Sequence, residues 1–365
     1  MVQQEHPGGR PRAQVRQRAA WQGHSNNVWS VCALRLADGT YATASASSDR
    51  SVQVCSVDGE LITRFTGHRD TVFIVCAVSA PDGRQLAASA AWDGRIACWD
   101  PETGKAVAWC KNRGSVYSLC SFNLASGTAL LATGDRQGNV VVWSATTGKV
   151  VSRCRGHADS VWSVCPVVLS GGVALCSASD DTTVRVWEPT TGRQIWSSRV
   201  AGIGGIMRRR KAHHDEVHCV VAIPGDGGRT SLVASGSSDK SVRLWDAHSG
   251  GLVAKCRGIS AKVNALCHVV LKDGRTCVAA GAEDGSVTVF DVADGKQVVR
   301  SAAHQGPIHA MCAIPVPGQT RSLLATAGED GIVQLVWPES GEIMECDSPF
   351  VEDCEPHTDV VRSVC

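Results

Sequence analysis

No long hydrophobic run, no excess of either charge and no C-x-x-C pair occurs in the 365 residues. Each absence removes a class of function. Nothing approaches the ~18 consecutive apolar residues that a helical membrane span requires. The opening text, MVQQEHPGGRPRAQVRQR, lacks the apolar segment of a secretory signal. Lys and Arg number 36 against 35 Asp and Glu, a net charge of +1, which leaves no broad basic footprint for nucleic acid or an anionic membrane. The 17 cysteines never take the paired spacing of a zinc knuckle or a redox motif. Without a secretory signal they are expected to be reduced thiols in the cytoplasm, the nucleus remaining open. Sustained helical periodicity is missing too, so the chain is expected to be all-β.

What is present is repetition. GHSNNVWSVCAL begins at Gly23, GHRDTVFIVCAV at Gly67 and GHADSVWSVCPV at Gly156. The residue after the glycine defines a slot, filled in turn by His24, His68, Asn112, His157, His213, Ile259, His304 and His357. The gaps between successive slots are 44, 44, 45, 56, 46, 45 and 53 residues. A period of about 40–45 residues belongs to propeller blades of four strands. Inside the unit the register is stiffer still. Ser89, Asp93 and Trp99 keep the spacing of Ser177, Asp181 and Trp187, and of Ser235, Asp239 and Trp245; Thr133, Gln137 and Trp143 keep it with one substitution. Strands joined by tight turns must hold register, because a slip of one residue turns every side chain to the opposite face.

The strands follow from composition. A β-branched and aromatic run such as VWSVC comes after the slot and ends on a cysteine at 32, 76, 120, 165, 267, 312 and 365. A thiol in one repeated strand position is expected to be a small buried apolar side chain. LAASAA (86–91) is the second strand, RIACW (95–99) the third and KAVAWC (105–110) the fourth. A glycine recurs five residues past the Trp slot, at 104, 148, 192, 250, 295 and 341, and marks the turn into the fourth strand.

These features resemble the WD-repeat β-propeller family over roughly residues 15–365. The carriers are GH at the unit start and Trp99-Asp100, Trp245-Asp246, Trp187-Glu188 or Phe290-Asp291 at the end of the third strand. The resemblance implies hydrogen-bonded structural sets of four. They are His68-Ser89-Asp93-Trp99, His157-Ser177-Asp181-Trp187 and His213-Ser235-Asp239-Trp245. A buried carboxylate needs such donors around it. His, Ser and Asp together suggest a hydrolytic triad, but a catalytic site occurs once and this set recurs with a Trp attached. No catalytic residue, cofactor or metal is therefore assigned, and His213-His214 is not read as a metal pair. Other units are degraded: Cys55 replaces the Trp of blade 1, Asn112 and Gln137 replace His and Asp in blade 3, blade 6 has Ile259, Ala280 and Phe290, and blade 7 has Val336.

The expected architecture is a seven-bladed ring of four-stranded antiparallel blades over 14–350. Residues 1–13 are read as a disordered basic tail, with Arg10, Arg12, Arg16 and Arg18 extending into a closing strand, QVRQRAAW (14–21). Residues 351–365 open an eighth repeat whose single strand, HTDVVRSVC (357–365), is an orphan. Three features point to partners. The residue five past the slot is aromatic on blades 1–4, namely Trp29, Phe73, Tyr117 and Trp162, and aromatic residues dominate binding hot spots. Trp92 precedes the turn Asp of blade 2, where the other blades carry Ser48, Arg136, Asp180, Ser238, Glu283 and Glu329. Arg208, Arg209, Arg210 and Lys211 form a basic cluster in the insertion after blade 4. The leading expectation is a non-catalytic protein-protein scaffold of unknown partners. The alternative is a propeller binding nucleic acid, phosphate or lipid through 208–211, although the FRRG stretch of lipid-binding propellers is here only KCRG (255–258). A subunit regulating a signalling enzyme ranks third.

Overall fold

A computed structural model describes residues 23–56, 60–198, 212–315, 321–330 and 333–343. Among them the only helical element is a short 3-10 turn, Asp226–Gly228. The rest is strand and turn, arranged as seven blades of antiparallel strands in a propeller ring. Six sheets have four strands in simple sequence order. The seventh has three, and the bridge Val336–Ile343 opens its fourth.

The inner strands are Val28–Arg35, Val72–Ser79, Val116–Asn123, Val161–Leu169, Val217–Pro224, Val263–Val270 and Ile308–Pro315. Six of them run three or four residues past the repeated cysteine, and the fifth has Val221 in its place, so the thiol lies within the strand and does not end it. LAASAA falls in Gln85–Ala91, RIACW is Arg95–Trp99, and the fourth strand of that blade is Ala106–Lys111, one residue later than expected. The QVRQRAAW strand, the tail arginines, the cluster 208–211 and the orphan strand 357–365 lie outside the described residues.

The recurring glycine has one job. At Gly104, Gly148, Gly192, Gly250, Gly295 and Gly341 φ lies between 67° and 74°, the left-handed region that side chains disfavour. Each N–H donates to the carbonyl four residues back, as Gly104 does to Asp100 at 2.8 Å. Space forbids a side chain as well: a Cβ on Gly148 would lie 2.2 Å from the Trp109 carbonyl oxygen.

Blades are held to one another by apolar layers. Leu34, Val54 and Phe65 of blade 1 pack on Val72, Ala97 and Trp99 of blade 2. Val269 and Val289 of blade 6 pack on Ile308, Met311 and Val336 of blade 7 in the same manner, and four further layers join the blades between. Trp99, Trp187 and Trp245 are fully buried. Removing such a ring costs about 3–5 kcal/mol. The 14 cysteines among the described residues are free thiols. Burial pushes Cys98, Cys154, Cys219, Cys256 and Cys277 up to about 12, which suppresses the reactive thiolate.

Candidate functional site

The structural sets show what the repeated residues are tied to. In blade 4 the Trp187 indole donates to Ser177 Oγ at 2.8 Å, Ser177 Oγ and His157 Nε2 are 2.7 Å apart, and His157 Nδ1 is 3.0 Å from Asp181. Blade 5 repeats this with Trp245, Ser235, His213 and Asp239 at 2.8, 2.8 and 3.0 Å. The chain runs one way. The indole donates to the hydroxyl, the hydroxyl to Nε2, and Nδ1–H to the carboxylate, so a neutral imidazole satisfies both neighbours. Burial lowers both His157 and His213, against the pull of their aspartates. Burial alone would raise Asp181 and Asp239. Hydrogen bonds from the histidines, from Thr183 and from Ser241 outweigh it and hold both carboxyls well below the usual range. Ser89, Ser177 and Ser235 are completely buried, which denies any substrate access to a serine nucleophile.

Blade 2 departs from the expected set. His68 reaches Ser89 at 2.8 Å and Trp99 donates to Ser89 at 3.1 Å, but His68 Nδ1 has no hydrogen-bond partner. Asp93 instead accepts from the Arg95 and Arg69 backbone N–H groups and lies 3.7 Å from the Arg95 guanidinium. The reason is local. Blades 4 and 5 place Thr183 and Ser241 two residues after the acid, where their hydroxyls orient it; blade 2 has Arg95 there. Blade 3 also differs. Gln137 does not act as the turn acid: Asn112 donates to the buried Asp135 at 2.8 Å, and Asn139 donates to the same carboxylate. Two sets were missed in the sequence. His24-Ser45-Asp49 in blade 1 and His304-Thr326-Asp330 in blade 7 are linked at 2.9 Å throughout, without a Trp. Their hydroxyl-to-acid spacing of four residues was the available signal.

The aromatic residues are projected by a backbone device. In every inner strand the residue five past the slot is skipped by the pairing. Trp29, Phe73, Tyr117, Trp162, His218, Asn264 and His309 are each the extra residue of a β-bulge. A bulge re-aims a side chain. Next to each bulge stands the residue before the turn acid, whose N–H donates to a carbonyl at the start of the inner strand. Examples are Ser48 to Asn27, Trp92 to Thr71, Asp180 to Ser160 and Glu329 to Pro307. Both sets of positions therefore share one face of the ring.

On that face the aromatic rings are continuous. Trp29, Phe73 and Trp92 form a triad with centroids 5.2, 6.0 and 6.0 Å apart. Phe73 lies 6.2 Å from Tyr117, Tyr117 stacks on Trp162 at 4.6 Å and 11°, and Trp162 is 6.0 Å from His218. Trp92 is 40% exposed and the bulge aromatics are half-buried. Beyond Trp162 the face turns acidic. Trp162 donates to Asp180 at 2.7 Å, His218 lies 3.4 Å from Glu216 and 2.9 Å from Ser238, and Asp159, Asp215, Glu283 and Glu329 are exposed. Burial and the nearby Glu216 and Asp159 raise Asp180, opposed by the Trp162 N–H and by Lys262. Ligand atoms of Asp180, Glu216 and His218 lie within 4.8 Å of one another, but Trp162 and Ser238 already engage the first and last.

The family model described as WD domain, G-beta repeat matches residues 15–56, 59–100 and 148–188. The chain carries WD repeats on a seven-bladed propeller fold. A second family model, described as outer membrane protein assembly factor BamB, matches 180–345. The computationally designed protein Ika8 superposes with a TM-score of 0.70 at 20% identity, over 94% of this chain and 91% of its own. Sqt1 of Saccharomyces cerevisiae superposes at 0.71 and 14% identity, over 88% and 85%. At these identities both show the shared fold alone. No curated protein matches in sequence. No helix among the described residues is long and apolar enough to cross a membrane.

Proposed function

We propose that this WD-repeat propeller is a non-catalytic scaffold that holds another protein on the face carrying the bulge residues. The observation that carries the reading is the unbroken aromatic arc from Trp92 to Trp162 on one half of that face. Aromatic anchors supply binding energy at little cost in side-chain entropy. A ring of buried hydrogen-bonded sets keeps them in place without any ligand. The other half of the face bears Asp180, Asp215, Glu216, Glu283 and Glu329, which favours a partner carrying basic side chains and disfavours a polyanion there. WD-repeat propellers generally act as protein-interaction platforms, and nothing in the arc requires a reaction. The test is affinity capture from cells expressing the protein, comparing wild type with Trp92→Ala and Trp162→Ala. Specific partners are expected to be lost from both variants at unchanged melting temperature. An identical partner set would remove the proposal, and retarded migration of RNA at low salt would favour the basic segment 208–211 instead.

A further inference from the structure

Six of the junctions around the ring are alike and the seventh is not. Successive inner strands pack side by side from Val28–Arg35 through Ile308–Pro315, yet the last does not pack in this way on the first. Six apolar layers join neighbouring blades, whereas on the far side of blade 7 the corresponding cluster among the described residues is only Ala310 with Ala327.

Equivalent positions make the difference quantitative. The residue ten past the slot is 0% exposed at Leu34, Val78, Val167 and Val269, but Ile314 is 41% exposed. One residue before the Trp slot, Val54, Cys98, Val142, Val186 and Leu244 are fully buried, and Leu335 of blade 7 is half-buried. Across the junction, four past the slot, Val72, Val116, Val161, Val217, Val263 and Ile308 are 0% exposed, and Val28 is half-buried. Ile314 and Leu335 on one side and Val28 on the other belong to the two sides of a junction that lacks the packing of the other six.

The chain itself holds text that fits between them. HTDVVRSVC (357–365) has the slot histidine, then Val361 in the place of Val161, Ser363 in that of Ser163 and Cys365 in that of Cys165. QVRQRAAW (14–21) is outer-strand text, with Trp21 three residues before the slot as Phe65 is. The outer position of blade 7 is opened by the chain's own Ile343, bridged to Val336.

We propose that an eighth position exists in the ring between blades 7 and 1, and that residues 357–365 occupy it as an inner strand, burying Ile314 and Val28. A stack of repeats leaves an apolar face at each end unless something covers it, and a strand carrying the repeat's own pattern offers the right spacing of Val361 and Val364 to do so.

Hydrogen exchange on the full chain, on a chain ending at residue 350 and on the full chain with Val361→Asp and Val364→Asp decides the matter. Both variants are expected to exchange at least tenfold faster over 28–35 and 308–315, while 161–169 stays unchanged and reports an intact ring. Equal exchange at 28–35 and 308–315 in all three proteins overturns the proposal. Protection that rises with protein concentration together with a dimeric mass also overturns it, by assigning the junction to a second copy.

Discussion

A single carboxylate shows how the blade interior works. Asp181 is almost fully buried and accepts from His157, Thr183 and the Ala158 N–H. Asp284, in blade 6 where the set has decayed, is one-third exposed and is shared among Ser260, Ser286 and Arg300. Removing one member of a satisfied buried network strands the others. Asp181→Ala is therefore expected to cost about 2–4 kcal/mol and Asp284→Ala less than about 1 kcal/mol, read from urea denaturation midpoints; equal losses would refute the network account. The same groups fix a pH response. Burial lowers His68 to about 4, below an ordinary value of 6.5, with Asp93 opposing. The unfolded chain then binds a proton that the folded one refuses, so this stability is complete above pH 6.5 and is lost as pH falls toward 4. Asp49 is held at about 2, because hydrogen bonds from Ser51 and His24 outweigh its burial. Its contribution is present above pH 4 and is lost as pH falls toward 2. Denaturation midpoints measured from pH 7 to 4 should decline, and His68→Asn should flatten that decline.

At the scale of the strand and turn, two glycines with similar backbones separate conformation from space. Gly127 (φ 80°) has nothing within 4 Å of a built Cβ, whereas Gly148 (φ 68°) would drive one against the Trp109 backbone in the neighbouring blade. Gly127→Ala should lose about 1 kcal/mol for the left-handed backbone alone. Gly148→Ala should lose at least twice as much, since blade 3 must move off blade 2. Thermal melting of the two variants checks this. The inner strand makes a related point. Its bulge is an element-level feature that places seven side chains on one face at once, so changing one bulge residue is expected to alter the proposed binding face without unpicking the ladder.

For the whole molecule, net charge is a poor guide to the proposed binding face. The chain totals +1, yet carboxylates gather on the blade 4–7 side of the arc. A basic partner held there should bind at least tenfold more weakly at 0.5 M than at 0.05 M salt, because exposed charges are screened within a Debye length. Partner affinity that ignores salt would leave the aromatic half acting alone. The ring also explains why the interior tolerates decay. Phe290 fills the Trp slot of blade 6 and is fully buried, so the apolar layer survives even where the hydrogen-bonded set has gone.

The repeat period, the strand order and the residues of the inner and third strands were legible in the linear text, because strand alternation and tight turns lock register residue by residue. The slots of Trp29, Phe73, Tyr117 and Trp162 could be aligned in the same way. That they form one continuous arc with Trp92, that His68 misses Asp93 while Asp135 replaces Gln137, and that Ile314 and Val28 lie uncovered were decided only in three dimensions. Those outcomes depend on which neighbouring blade or guanidinium reaches a side chain, and such distances are set by how the blades pack around the ring and not by spacing along the chain.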